Sequence, residues 1–509
     1  MCSLRDFPPL PDGTEIPLCI IEGKIQYTPS DFANVHVYTS SISLLPFINI
    51  SREALLHIPT KEDPNRVFLP VSNTFFRRIQ NTWYEKGAFA TLEVIASSRE
   101  KNLLTLVAKQ VLSIFNFSTQ FVRHIPGINN RESGESLVVK VSQNSDYVNN
   151  NIRCLAWHPH CIKIAVGTSD DLIRVYSQNP QLVPLLKCKH QRFISSLSWR
   201  PFSTSELALG CEAGILIWTI DPNSVITRPS PTNTLLLTRP NHKFVTSISW
   251  SPMGDLLISA SPCDNTMYVW DVALEVPVPL RRVLGRGISF VTYSPNSLKV
   301  FAATTNIVFR VWETMKWNPD LWSVASGHVV SACWSPCGSV LLFATSTESI
   351  VYALTWGHVS SVFSSEEKRA AIPAIDVCAI ELEGGERVGG EICSLVWDSK
   401  GRHLAIMFKQ CNIIAVFYTN ISTGLHISPC CFVKGMPEES PAYICFQDSF
   451  EEGANLTIGW SNGRIQYFPI VYTELPTYVR KTVQGNSFNL SPAIANITES
   501  SRFMSYTSN

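Results

Sequence analysis

The residues best suited to chemistry come in short clusters. His158-Pro159-His160-Cys161 sets two imidazoles and a thiol within four positions, a partial donor set for zinc. A tetrahedral site needs a second ligand pair at comparable spacing, and none follows, so both histidines are read as turn residues after a strand. Cys430-Cys431 is read as a loop pair, not a redox centre. Adjacent carboxylates occur at Asp170-Asp171, Glu366-Glu367, Glu438-Glu439 and Glu451-Glu452. Each pair falls in a turn or polar loop, where neighbouring acids are solvated, which argues against a hydrolytic pair. The chain has no G-x-x-x-x-G-K-[ST] loop and no G-x-G-x-x-G. Gly384-Gly385 and Gly389-Gly390 bracket a charged loop without the Lys-Ser/Thr of a phosphate cradle. The reading is therefore not an enzyme. No catalytic, cofactor-binding or metal-binding residue is assigned, no cofactor is expected, and the partner-binding residues stay open.

Composition points the same way. The 509 residues carry 41 Lys+Arg against 41 Asp+Glu, and a formal charge of zero argues against nucleic-acid binding through a broad basic face. With 45% hydrophobic residues, disorder throughout is excluded. The apolar stretch Ile42–Ile50 is broken by Ser43 and Pro46 and is far short of the roughly 20 residues of a membrane span. Pro8, Pro9 and Pro11 interrupt the place where a signal peptide would be apolar. The fifteen cysteines are odd in number and lack C-x-x-C, as expected of reduced, core-filling thiols.

What must position any site is a repeat. Alternating apolar runs end in an aromatic residue at Trp157, Trp199, Trp250, Tyr293, Trp334, Trp397 and Phe446. A second run ends in an aromatic 18 to 21 residues later, at Tyr176, Trp218, Trp270, Trp312, Tyr352, Phe417 and Tyr467. A unit of roughly 40–45 residues with four short strands is a WD-repeat propeller blade. The fold class is therefore all-β, a seven-bladed WD-repeat β-propeller over residues 149–472, with an N-terminal α-helical extension. The first aromatic is expected to wedge between blades, and the first strands, with Ser, Cys, Leu and Arg153, to line the channel. Only Val269-Trp270-Asp271 keeps the dipeptide that names the repeat, and histidines precede first strands only at His190, His242 and His328. A regular side-chain network in each blade is thus not expected. The longest insertion, around 364–390, reads as an exposed excursion enclosing a strand in AIDVCAI. Most of the thirteen tryptophans belong to blade packing; Trp317 and Trp322, in a blade-connecting loop, are candidates for a contact surface.

Outside the ring, residues 1–70 read as an irregular segment with short strands, where Ile16–Ile21 and Ile25–Tyr27 suit a hairpin or a strand lent to a blade. Residues 71–140 read as an amphipathic helical extension, because Phe75, Phe76, Ile79 and Trp83 begin a three- and four-residue spacing. It serves either as a lid on the ring or as a docking element. Residues 484–509 form a flexible Ser/Asn-rich tail.

Several segments are more specific than blade signatures. They are Met1-Cys2-Ser3-Leu4 with Phe7-Pro8-Pro9, Ala156–His160, Ile215–Ser230, Ser259–Val272, Val308–Glu313, Cys333–Phe343 and Gly459–Ile465. Through them the chain resembles the aladin family, WD-repeat nucleoporins of the nuclear pore complex. It departs from the family at its short tail, where the family has a longer Pro-rich end. The resemblance implies a non-enzymatic scaffold nucleoporin, a docking platform for nucleocytoplasmic transport and protein import. Its implied partners are other nucleoporins, including an integral membrane nucleoporin as anchor for a chain with no transmembrane segment of its own. Its implied location is the nuclear envelope, with cytoplasm and mitotic spindle as further sites. The rival reading is a WD-repeat adaptor outside the pore, either a ubiquitin-ligase substrate receptor or a spindle or microtubule-associated scaffold. No Phe-Gly dipeptide is present, which excludes a barrier nucleoporin.

Overall fold

A computed structural model of the chain describes residues 1–10, 15–21, 24–29, 44–48, 50, 95, 110, 151–178, 183–221, 226–281, 286–356, 370–382, 385–421, 424–436 and 439–472. The expected helical extension, apart from Ile95 and Gln110, and the expected tail lie outside these residues.

Three strands precede the ring: β1 (Cys2–Ser3), β2 (Glu15–Ile21) and β3 (Lys24–Pro29). Seven sheets then follow in chain order. The first blade holds β4 (Ile152–Trp157), β5 (Lys163–Thr168), β6 (Ile173–Ser177) and β7 (Leu185–Leu186). The second holds β8 (Ser196–Trp199), β9 (Glu206–Cys211), β10 (Gly214–Thr219) and β11 (Thr234–Leu237). The third holds β12 (Ser247–Trp250), β13 (Leu256–Ala260), β14 (Thr266–Asp271) and β15 (Val276–Arg281). The fourth holds β16 (Ile288–Tyr293), β17 (Lys299–Thr304), β18 (Val308–Glu313) and β19 (Asn318–Ser323). The fifth holds β20 (Val329–Trp334), β21 (Val340–Thr345), β22 (Ile350–Thr355) and β23 (Ile372–Asp376). After a small ladder of β24 (Ile380–Glu381) and β25 (Arg387–Val388), the sixth holds β26 (Ile392–Trp397), β27 (His403–Phe408), β28 (Ile413–Asn420) and β29 (His426–Lys434). The seventh has three strands, β30 (Pro441–Phe446), β31 (Gly453–Trp460) and β32 (Ile465–Val471).

The innermost strands pack in a closed circuit, β4 on β8, then β12, β16, β20, β26, β30 and back to β4. Second strands are covered on both faces by neighbouring blades, so β21, β27 and β31 are buried at every residue and read as unbroken apolar runs. The outer strands β15 and β19 are exposed edges. Pro277, Pro279 and Pro319 in β15 and β19 withhold N–H donors there and blunt edge-to-edge pairing.

The ladder explains the aromatic spacing. In the first blade Trp157 pairs with Ile164, which pairs with Tyr176, and the same three-residue row recurs as Trp199–Leu207–Trp218, Trp250–Leu257–Trp270, Tyr293–Val300–Trp312 and Trp397–Leu404–Phe417. The fifth and seventh blades differ. Leu354 and Phe468 complete their rows, not Tyr352 and Tyr467, so the spacing of aromatics there does not mark the register. Wedging between blades is a hydrogen bond as well as packing. The indole N–H of Trp157, Trp199 and Trp250 donates to Thr457 Oγ1 (2.8 Å), Ala156 O (3.0 Å) and Ser198 O (3.2 Å) of the preceding blade. The turn glycine Gly254 sits at φ +72°, and a Cβ there would stand 2.6 Å from the Pro201 carbonyl of the adjacent blade.

Two expectations are corrected. The strand in the long insertion is not an excursion; β23 is the fourth strand of the fifth blade, paired with β22. Trp317 and Trp322 are not in a free loop: Trp322 lies in β19 and stacks on Phe309 at 6.2 Å, while Trp317 packs against the core between blades three and four.

The N-terminus is threaded into the ring. β1 pairs in parallel with β23 at its outer edge. Ser3 caps a 3-10 turn over Leu4–Asp6, with its N–H donating to Asp6 Oδ2, and this turn drives Leu4 into the core between blades five and six, where it is 1% exposed. Phe7 follows, stacked on Phe432 at 4.3 Å. β2 and β3 form the hairpin expected of their apolar runs, with β2 against β32 where other blades carry a fourth strand.

Candidate functional site

A propeller offers two places for recognition, its central channel and the loops that ring it. The channel encloses about 510 Å³. Its wall comes from the first strands and the residues just before them, and neutral hydroxyls line it at Ser195, Thr246, Ser249, Ser289, Ser331 and Ser394. Arg153 is the one arginine in this lining, and its Nη1 lies 2.7 Å from Asp171 Oδ1. Burial raises the Asp171 pKa more than the Arg153 guanidinium lowers it. The channel mouth therefore holds a paired charge where sequence reading saw a single cation.

His158 is fully used by the fold. Its Nδ1 accepts from the backbone N–H of His160 and of Cys161, both at 3.1 Å, so Nε2 carries the proton and donates to Ser203 O at 2.8 Å. Burial lowers its pKa below the ordinary imidazole range. With neither nitrogen left for a metal, this histidine closes its turn and ties blade one to blade two. His160 stacks on Phe202 at 5.0 Å. Among the described residues no group of three or more His, Cys, Asp or Glu is placed to hold a metal ion.

The carboxylate pairs divide. Asp170 is bonded to Arg174 at 3.0 Å, and Glu439 accepts from Arg464 and Asn462, which holds its carboxyl below the usual range; these are buried partners, not solvated acids. Glu451 and Glu452 are exposed. Glu366-Glu367 and Glu438 lie outside the described residues. Cys430 and Cys431 are not in a loop but in β29, buried in the core between blades six and seven, where burial holds the Cys431 thiol well above its ordinary value. Cys430, Cys431 and the other twelve cysteines whose side chains are described are free.

The third blade carries a side-chain network running from its tryptophan to a histidine. Trp270 Nε1 donates to Ser259 Oγ at 2.9 Å, Ser259 bonds His242 Nε2 at 2.8 Å, and His242 Nδ1 faces Asp264 Oδ2 at 3.6 Å. In blade two Gln191 stands in the histidine's place and accepts from Trp218 Nε1 at 3.1 Å. Sequence reading missed a second polar knot between blades six and seven. Lys400 Nζ donates to the carbonyls of Phe450, Glu451 and Gly453 at 2.7–2.9 Å. Beside it, the Tyr472 hydroxyl lies 2.8 Å from His403 Nδ1 and donates to Asp398 at 3.2 Å. No spacing rule marks these residues, because they meet only when the last blade docks.

No helix among the described residues is long and apolar enough to cross a membrane. Seven radial sheets around a channel, with one blade keeping the Trp–Ser–His–Asp arrangement, define a WD-repeat-type β-propeller. The chain belongs to the aladin family: the family profile described as the aladin seven-bladed propeller matches residues 133–471. It is similar to aladin of Arabidopsis thaliana, with 30% identity over 355 residues, covering 63% of this chain and 76% of that protein. Among solved structures, a chain from the crystal structure of the mitotic checkpoint complex superposes with a TM-score of 0.48 at 14% identity, covering 64% of this chain and 88% of that one.

Proposed function

We propose that the chain is a non-enzymatic scaffold nucleoporin, a docking platform of the nuclear pore complex that supports protein import. Membership of the aladin family through the whole ring carries this reading. The chemistry of the hub supports it: His158 is bound to backbone, Arg153 is paired with Asp171, and apolar side chains with neutral hydroxyls make up most of the channel wall. The mechanism is binding at fixed geometry by a rigid ring. Its anchor is an integral membrane nucleoporin, and its place is the nuclear envelope.

The test is localisation of a fluorescent fusion in cells. The fluorescent protein belongs at the C-terminus, because β1 and Leu4 are built into the ring. A nuclear rim is the expected result; a diffuse or spindle signal without a rim overturns it in favour of a WD-repeat adaptor elsewhere. Proximity labelling of a variant lacking residues 51–140 then places the anchor. Loss of the rim assigns it to that segment, and retention assigns it to the propeller.

A further inference from the structure

The loops that join a blade's last strand to the next blade's first strand share one face of the ring with the turns between second and third strands. Two of these joining loops repeat each other. Residues 187–195 read KCKHQRFIS and residues 238–246 read TRPNHKFVT. Aligned on the wedge tryptophans Trp199 and Trp250, Arg192-Phe193 coincides with Lys243-Phe244. Arg286-Gly287 occupies the same place one blade further on.

Both phenylalanines are held in the left-handed region, Phe193 at φ +50° and Phe244 at φ +53°. Large side chains avoid that region unless surrounding structure imposes it, and such outliers gather at recognition sites. Here the imposition is visible. Glu212, in the β9–β10 turn, donates its N–H to Arg192 O (2.9 Å) and accepts at its own carbonyl from Phe244 N (3.0 Å), locking the two loops to one turn. The rings stand 6.5 Å apart, and Phe193 remains 41% exposed beside the channel mouth, with the Arg153 guanidinium 5.9 Å from its centroid.

Charge surrounds this aromatic pair. Lys187, Lys189, Arg192, Arg239 and Lys243 are all exposed, and none pairs with a carboxylate among the described residues. Of the acids on the same face of these blades, Asp170 pairs with Arg174 and Asp171 with Arg153, while Asp264 is buried 3.6 Å from His242. Glu212 is the remaining one. In a chain whose charges balance overall, this is a local positive excess around an exposed aromatic shelf.

We propose that this shelf, Phe193 and Phe244 flanked by Arg192 and Lys243, is a docking site for an acidic linear segment of a partner protein that carries an apolar side chain. The proposal rests on the docking-platform reading and specifies the chemistry of one partner. Carboxylates meet the five cations, and the apolar side chain covers the Phe193 ring. Single-stranded nucleic acid also pairs phosphates with cations and bases with aromatics, but it stacks successive bases on successive rings, and of this pair only Phe193 is exposed while Phe244 is half-buried.

The test selects a random 16-residue peptide library on the purified full chain, then measures the enriched peptides by fluorescence polarisation. The expected result is a set enriched in Asp and Glu around an apolar residue. R192E/K243E should weaken its binding by about tenfold or more at unchanged Tm. Phe193→Gly should also weaken binding, while sparing stability because glycine accepts positive φ. A set without acidic bias, equal binding to R192E/K243E, or tighter binding of an oligouridine 20-mer than of any peptide would overturn the proposal. The rim signal of the unmodified fusion separates the two levels. A rim without acidic peptide binding overturns only this inference; no rim overturns the platform reading.

Discussion

At the scale of single residues, buried imidazoles and carboxylates in this ring work as fasteners. His158 satisfies two N–H groups and one carbonyl at once, so His158→Ala should destabilise the fold by about 2–4 kcal/mol in urea denaturation. Because neither ring nitrogen is available, added zinc or EDTA should leave the Tm of the unmodified chain unchanged. The knot around Tyr472 titrates. Burial pushes Asp398 up to about 6 from its ordinary 3.8, and burial with the nearby Arg402 pushes His403 down to about 3 from 6.5. Asp398 therefore contributes stability below pH 3.8 that is lost as pH rises through 6. His403 contributes stability above pH 6.5 that is lost as pH falls toward 3. Between pH 4 and 6 the two slopes oppose and flatten the profile. Asp398→Asn should leave the histidine's slope exposed, so that Tm drops more steeply than in the unmodified chain from pH 6.5 to 4.5. His403→Gln should reverse that slope. Melting curves across this range check both.

At the scale of elements, the N-terminal strap is the feature that a ring diagram would omit. Two residues of parallel ladder, a capped turn and one buried leucine join the first residues to a blade more than 370 residues away in sequence. Leu4 touches blades five and six together, and the Gly389 turn leaves room for it: a Cβ there would stand 2.7 Å from Leu4 Cδ1. Leu4→Ala should therefore cost about 2–4 kcal/mol in urea denaturation, like a truncation in any well-packed core. Removing residues 1–10 should cost at least as much. An unchanged midpoint in either variant would show that the strap is not part of the stable core.

At the scale of the molecule, the ring closes without a shared sheet. Blade seven has three strands of its own, and its junction with blade one is made by β30 packing on β4 and by Trp157 donating to Thr457. Every blade buries both faces against neighbours, so loss of one blade uncovers two apolar faces. A chain ending at residue 436 should not survive as a six-bladed ring; it should aggregate or lose its single cooperative melting transition in calorimetry.

What the sequence determined by itself was the blade count and the strand phase, because alternation and a recurring aromatic are local properties that backbone geometry converts directly into strands. It also marked the channel positions around Arg153 and the hairpin of β2 and β3. What tertiary structure decided was the partnerships across blades: Ser203 for His158, Tyr472 for His403 and Asp398, and the core between blades five and six for Leu4. It also moved Cys430-Cys431 from loop to strand and replaced Tyr352 and Tyr467 in the aromatic rows. The physical reason is closure. A strand's phase is set by its immediate neighbours in sequence, whereas the groups that meet between sectors are separated by 40 to several hundred residues and are brought together only when the circle shuts.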